Sequence, residues 1–283
     1  FSGSSGNCVF VGSAREGVLV DAGVSARRIE QALRDRGIAP ESIRAVLVTH
    51  EHRDHIAALE VLTRKHPLPV HMLLDCAMRY RDSQAEALCR CLVLYRQPDF
   101  TATVGDVTVR AFPTLHDSRA SVGYRFEFGG ISVGYMTDTG CVTDRMEQML
   151  SGCEAVVLES NHDEQLLLSG PYPYELKLRI RSNRGHLSNR DAAALAARLA
   201  ERGTRHFLLA HLSETNNYPA IAYDETASAL AGSGATVAVA EPRDITMLVG
   251  TVGEPVARAG ARMPAAAGGA ERSAASAMGG ALL

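Results

Sequence analysis

Residues 49–55 read Thr-His-Glu-His-Arg-Asp-His, which crowds His50, His52, Asp54 and His55 into six positions. Imidazole nitrogens and carboxylate oxygens at that density are the donors of a divalent cation site. The run closes the apolar stretch 44–49 (RAVLVT) and precedes a helical pattern. A strand end meeting a helix start brings the four side chains to one point, and Asp54 falls where a helix N-terminus favours a carboxylate. The competing reading, a polar loop that happens to hold three histidines, leaves this crowding unexplained. Three further donors each stand just past an apolar run: His116 in Pro-Thr-Leu-His-Asp, Asp138 in Met-Thr-Asp-Thr-Gly and His211 in Leu-Ala-His-Leu-Ser. Singly, each reads as a loop hydrogen bonder. Their shared position relative to a strand outweighs that reading and predicts one common sheet edge. Imidazole with carboxylate suits zinc, manganese or iron, so the metal's identity stays open.

Elements able to gather these donors are legible along the chain. Strands are predicted at 8–11, 17–21, 44–49 and 68–73, two around Gly105-Asp106 within 100–112, and a hairpin 122–128/131–136 through Gly129-Gly130. Further strands are predicted at 155–159, 206–210, 236–240 and 245–249. Helical periodicity marks 25–36 (Ser25 as N-cap, Gly37 as stop), 55–65, most of 75–96, 142–150, 161–181 with a break at Gly170-Pro171, 188–202 and 220–231. Two strand-rich halves with helices around them predict two sheets packed face to face, helices outside. Residues 1–256 are read as one domain. Residues 257–283 hold 11 Ala and 5 Gly and no aromatic, and are expected to be a disordered tail.

Composition narrows the class. The 283 residues carry 29 Lys+Arg against 32 Asp+Glu, a net charge of −3, which excludes coating nucleic acid by bulk charge but not a local basic patch. No apolar run approaches the ~20 residues that cross a bilayer, so no membrane role is expected. No leader pattern opens the chain, and Cys8, Cys76, Cys89, Cys91, Cys141 and Cys153 form no CxxC pair. They read as reduced thiols of a cytoplasmic protein. Cys89 and Cys91 are spaced poorly for a zinc knuckle. His66, His71 and His206 read as structural or exposed.

The HxHxDH run, followed in order by a His, an Asp and a last His, resembles the metallo-β-lactamase superfamily. That resemblance implies an α/β fold: an αββα sandwich of two mixed sheets flanked by helices, over roughly residues 1–250. It implies that His50, His52 and His116 hold one metal, that Asp54, His55 and His211 hold a second, and that Asp138 bridges them. Two such metals, ~3.5–4 Å apart, would share a water, lower its pKa to about 7 and use the resulting bridging hydroxide as nucleophile. Asp138 departs from the β-lactamases that place a Cys there; Cys141 is not the matched position.

Ser2-Gly-Ser-Ser-Gly-Asn7, Val18-Leu-Val-Asp-Ala-Gly23, Leu158-Glu-Ser-Asn-His-Asp163, Gly185-His-Leu-Ser-Asn189 and His211-Leu-Ser-Glu-Thr-Asn-Asn217 together look like the YycJ/WalJ family of this superfamily. That family is associated with 5′-to-3′ exonuclease action on DNA. Glu159 and His186 stand where ribonuclease Z, a second resemblance, carries a Glu-oriented His that protonates the leaving oxygen. The expected catalytic residues are therefore Asp54, His186 as general acid and Glu159 as its orienter; the bland alternative is a packing or capping His186 and a surface Glu159. Lys177, Arg179, Arg181, Arg184 and Arg190 fall within 14 residues with no acid among them. Lys177, Arg181 and Arg184 are expected on one helical face. With Ser188 and Asn189 at the next helix start, where Ser188 and Asp191 look like a capping box, they are the expected phosphate contacts; a solvated helix face is the alternative. Asn161, His162, Ser213, Asn216 and Asn217 read equally as substrate contacts or turn formers.

The reading is a dinuclear-metal phosphodiesterase acting on DNA, with RNA as the other candidate substrate. Its rivals are a small-molecule hydrolase such as a thioesterase or lactonase, and a regulatory protein with a non-catalytic metal centre. Oligomeric state is not readable from the sequence.

Overall fold

A computed structural model describes residues 1–3, 6–13, 15–80, 85–240 and 246, with backbone alone for Leu248–Thr251, Glu254–Arg258 and Gly280–Leu282. The strands, in chain order, are β1 (Val9–Gly12), β2 (Gly17–Val20), β3 (Ile43–Leu47), β4 (Val70–Leu73), β5 (Leu92–Tyr95), β6 (Thr101–Val104), β7 (Val107–Pro113), β8 (Val122–Phe128), β9 (Ile131–Met136), β10 (Ala155–Glu159), β11 (His206–Ala210), β12 (Thr236–Val239), β13 (Leu248–Thr251), β14 (Glu254–Arg258) and β15 (Gly280–Leu282). They form two sheets, ordered β14-β13-β15-β1-β2-β3-β4-β5 and β12-β11-β10-β9-β8-β7-β6. The helices are α1 (Ala26–Arg34), α2 (Arg53–Ile56), α3 (Leu59–Lys65), α4 (Leu74–Ala77), α5 (Glu86–Cys91), α6 (Asp144–Leu150), α7 (Glu164–Ser169), α8 (Tyr174–Ile180), α9 (Asn189–Glu201) and α10 (Pro219–Ala229). Both sheets are mixed, and helices flank them, as expected from the patterning.

Period-two alternation builds the layers. In β10, Ala155 and Val157 face the core between the sheets, while Val156 and Leu158 face α6 and α9; β11 divides Leu208 and Ala210 from Phe207 and Leu209 in the same way. Ile29, Leu33, Leu59, Leu62 and Leu88 cover the outer face of the first sheet. Tyr124 donates its hydroxyl to Val48 O at 2.6 Å, and Val122 N bonds Thr49 O at 3.1 Å, so the sheets are tied directly behind the histidine run.

Polarity explains why distant donors converge. β2, β3 and β4 are mutually parallel. In the second sheet β7 and β9 are both antiparallel to β8, and β9, β10 and β11 are parallel, so these four strands share one direction. The loops leaving β7, β9, β10 and β11 therefore open at one edge of their sheet, and the bond from Val122 N to Thr49 O ties the chain just past β3 to the start of β8 there.

Some expectations are corrected. Residues 92–95 are a strand, not helix: Leu-Val-Leu-Tyr suits a pleated surface and pairs with β4 in parallel. The helix expected over 55–65 is two, α2 and α3, separated at Ala57-Ala58. The last expected strand begins at Leu248; Ile245 lies outside the described residues, as does most of the expected tail, of which 257–258 and Gly280–Leu282 have backbone in strands. Among the described residues no helix is long and apolar enough to cross a membrane. All six cysteines are free, and Cys89 and Cys91 join no metal-competent group among the described residues.

Candidate metal centre

Donor atoms of His50, His52 and His116 lie within 4.8 Å of one another, and so do those of Asp54, His55 and His211. Asp138 belongs with both sets: its Oδ2 is 3.5 Å from His55 Nε2, and its Oδ1 is 3.7 Å from His116 Nε2 and 3.5 Å from His211 Nε2. The seven expected donors thus meet in one place, His50 and His52 beyond β3, Asp54 and His55 in the first turn of α2, His116 beyond β7, Asp138 beyond β9 and His211 beyond β11.

Four of the five rings are held from behind. His55 Nδ1 meets Asp21 Oδ2 at 2.7 Å, His116 Nδ1 meets Gly185 O at 3.1 Å, and His211 Nδ1 meets Glu159 Oε1 at 3.0 Å. Carboxylates and carbonyls only accept, so each Nδ1 carries a proton, which leaves Nε2, the nitrogen turned toward Asp138, as the one a cation could take. Thr49 Oγ1 donates to Asp21 Oδ2 at 2.9 Å and so accepts from His50 Nδ1 at 3.0 Å, with the same consequence for His50. His50 Nε2, Asp138 Oδ2 and His211 Nε2 are buried with no hydrogen-bond partner. Orphaned polar atoms are costly inside a protein unless a ligand meets them. Three converging orphans on a nitrogen-and-oxygen donor set fit divalent cations.

Strain points the same way. Among the described residues the non-glycine positions with positive φ are Asp21 (60°), Asp138 (57°) and His211 (57°), all in this cluster. Left-handed backbone at such residues costs about 1–3 kcal/mol each and persists where surrounding structure enforces it. Gly23 is required by close approach: a Cβ there would stand 1.6 Å from Asp54 O.

Glu159 organises the remaining part. Its Oε1 accepts from His186 Nδ1 at 2.7 Å as well as from His211, and its Oε2 accepts from Thr139 N at 3.0 Å and Leu187 N at 3.2 Å. Burial works against its ionisation, but His186 and His211 hold the carboxyl down to about 2. Burial likewise opposes a proton on His186, and the Glu159 carboxylate overcomes it, raising the imidazole above its ordinary value. The His186 side chain is 22% exposed, against 4% or less for His55, His116, Asp138 and His211. It is therefore the imidazole of the Glu159 pair that reaches toward solvent.

Most of the expected phosphate contacts have partners within the chain, and their expected shared helical face is corrected. Lys177 Nζ donates to Leu168 O and Gly170 O at 2.7 Å each, joining the end of α7 to α8. Arg184 lies beyond α8, so it shares no helical face with Lys177; its guanidinium clamps His116 O and Ser118 O. Ser188 caps α9 through Asp191, and Asn189 is buried in a reciprocal amide pair with Asn217. Sequence spacing reveals charge density but not which carbonyls already engage it. Arg181 is exposed and enters no ion pair among the described residues, while Arg179 pairs with Asp117. Asn161, Asn216 and Asn217 are buried; Asn161 Nδ2 donates to His211 O at 2.9 Å and Asn217 Nδ2 to Ser160 O at 2.9 Å. Asp21, Thr49, Ser2 and Asn7 were not singled out as site residues by sequence. The Asp at the end of β2 was the available signal.

Residues 16–212 match the model of the beta-lactamase superfamily domain. The chain is 38% identical over 225 residues to exodeoxyribonuclease YycJ of Bacillus anthracis, covering 78% of this chain and 83% of that protein. It is 35% identical over 239 residues to exodeoxyribonuclease WalJ of Streptococcus pneumoniae serotype 2 (strain D39 / NCTC 7466), covering 84% and 89%. The solved structure of the metallo-beta-lactamase fold protein YhfI from Bacillus subtilis superposes with a TM-score of 0.64 at 19% identity, over 85% of this chain and 91% of that one, a likeness of fold.

Proposed function

Because the chain belongs to the beta-lactamase superfamily, within its YycJ/WalJ group, and is a metal-dependent hydrolase, we propose that it is a dinuclear phosphodiesterase that degrades DNA as a 5′-to-3′ exonuclease. The observation that carries this reading is similarity at 35–38% identity, over most of their length, to relatives named exodeoxyribonucleases. Polarity follows that resemblance alone. The cytoplasm is the proposed compartment, where six free thiols persist.

In this reading His50, His52 and His116 hold one cation, Asp54, His55 and His211 hold the other, and Asp138 lies between. Two divalent cations there would acidify a shared water to a pKa of about 7 and offset charge on the phosphoryl oxygens. The chain's own groups do the rest. Asp21, Thr49, Gly185 O and Glu159 fix the ring tautomers so that lone pairs face inward. Glu159 raises the imidazole of His186 above its ordinary value and so favours the proton that His186 would give to the departing deoxyribose oxygen. Arg181 and Arg190, both exposed and in no ion pair among the described residues, are basic side chains left to meet a phosphate.

The test is hydrolysis of 5′-labelled duplex DNA with added manganese. Wild type is expected to release mononucleotides and Asp54→Ala none. His186→Ala is expected to lose ~10²–10⁴-fold in kcat while keeping its metal content. Intact DNA with rapid thioester or lactone cleavage would replace this reading with the small-molecule hydrolase. No turnover of any of these would leave a non-catalytic centre.

A further inference from the structure

We propose that Ser2 and Asn7 form a clasp that positions the donors of one cation group, Asp54, His55 and His211, and leaves the other group untouched. This rests on the two-cation reading above. Asn7 is buried at 1% exposure and engages the chain with every polar atom it has. Its backbone N donates to Asp54 O at 2.8 Å, and its carbonyl accepts from Gly23 N at 2.7 Å. Its Oδ1 accepts from Gly3 N at 2.9 Å and Ser2 Oγ at 3.5 Å, which fixes the amide so that Nδ2 points the other way. There Nδ2 stands 3.1 Å from His55 Nε2 and 3.4 Å from Asp54 Oδ2. Ser2 completes the span: its Oγ accepts from His211 N at 2.7 Å, across 209 positions of sequence.

Two consequences follow from this geometry. First, the clasp reaches Asp54 and His55 on the first sheet and His211 on the second, so it sets the distance between donors that no strand pairing links. The His211 backbone it holds is left-handed, at φ 57°, a conformation that needs external support. Second, the contacts are one-sided. Among the described residues Ser2 and Asn7 make no hydrogen bond to His50, His52 or His116. The Asp54 oxygen that the amide reaches, Oδ2, is also the one facing His55 Nε2 and His211 Nε2, at 3.4 and 3.9 Å. Loss of partners of this kind typically weakens metal affinity ~10–100-fold. The two binding steps should therefore respond unequally to changes at the clasp.

The full chain, stripped with a chelator, is titrated with cobalt(II), following visible d–d absorption and bound metal by elemental analysis. Wild type is expected to bind two equivalents. In Asn7→Ala the first step keeps its affinity and spectrum, and the second weakens ~10–100-fold with an altered band. Ser2→Ala is expected to move the same step, and Ser2→Thr, which retains the hydroxyl, to restore it. The serine pair decides the matter if Asn7→Ala fails to fold by circular dichroism. Equal weakening of both steps, or no change in either, would overturn the clasp with the two-cation reading intact. A wild-type chain that takes up no second equivalent would overturn both.

Discussion

Nδ1 of His55 lies 2.7 Å from Asp21, and Nδ1 of His211 lies 3.0 Å from Glu159, while the opposite nitrogen of each ring faces Asp138. Burial opposes a proton on either imidazole. The surrounding carboxylates overcome it, raising His55 to about 10 and His211 well above its ordinary value in the cation-free chain. A cation taking either ring would therefore have to displace a proton that the carboxylates favour. Apparent cation affinity is thus expected to climb as pH rises from about 6 to about 9, with net proton release on binding. Calorimetry in two buffers of different ionisation enthalpy measures this directly; identical heats would contradict it. At the same scale Asp138 is written into the sequence as a loop aspartate, but its contact with both donor groups is a fact of distance.

The segment from β10 to α9 shows how elements carry chemistry. β10 ends on Glu159, a single bridge joins His162 to Ser188, and α9 begins one residue after Ser188, so His186 and Leu187 are pinned between a strand end and a capped helix. Ser188 Oγ accepts from Asp191 N at 3.1 Å and donates to its carboxylate at 2.8 Å. Ser188→Ala removes that cap and is expected to cost ~1 kcal/mol, or ~2–4 °C in Tm by calorimetry. A Tm within error of wild type would mean the cap is redundant. The Ser-x-x-Asp spacing made this start readable in advance. The expected common helical face of Lys177 and Arg184 did not form, because α8 ends at Ile180 and each side chain engages the loop carbonyls beside it.

For the molecule as a whole, the centre is a seam. His50, His52, Asp54 and His55 follow a strand of one sheet, and His116, Asp138 and His211 follow strands of the other. Cations bound there would cross-link the layers and so would bind the folded chain far better than the unfolded one. Adding manganese or zinc back to chelated protein is expected to raise Tm progressively with concentration, corresponding to ~2.7 kcal/mol at a hundredfold excess over Kd. An unchanged Tm across that range would argue against a cation bridging the sheets.

What could be known from the chain alone was local. Donor types, the crowding of residues 50–55, strand periodicity and the cap at Ser188 are properties of near neighbours, and the sandwich follows from alternation along each strand. The edge strand at 92–95 escaped because an apolar tetrapeptide next to a helical pattern has no period long enough to separate the two. Only the tertiary structure decided that Asp21 backs His55, that Glu159 serves both His186 and His211, and that Ser2 and Asn7 reach across to Asp54 and His211. Those bonds join positions tens to hundreds of residues apart, and strand order and polarity, set by the packing of the entire core, bring them together.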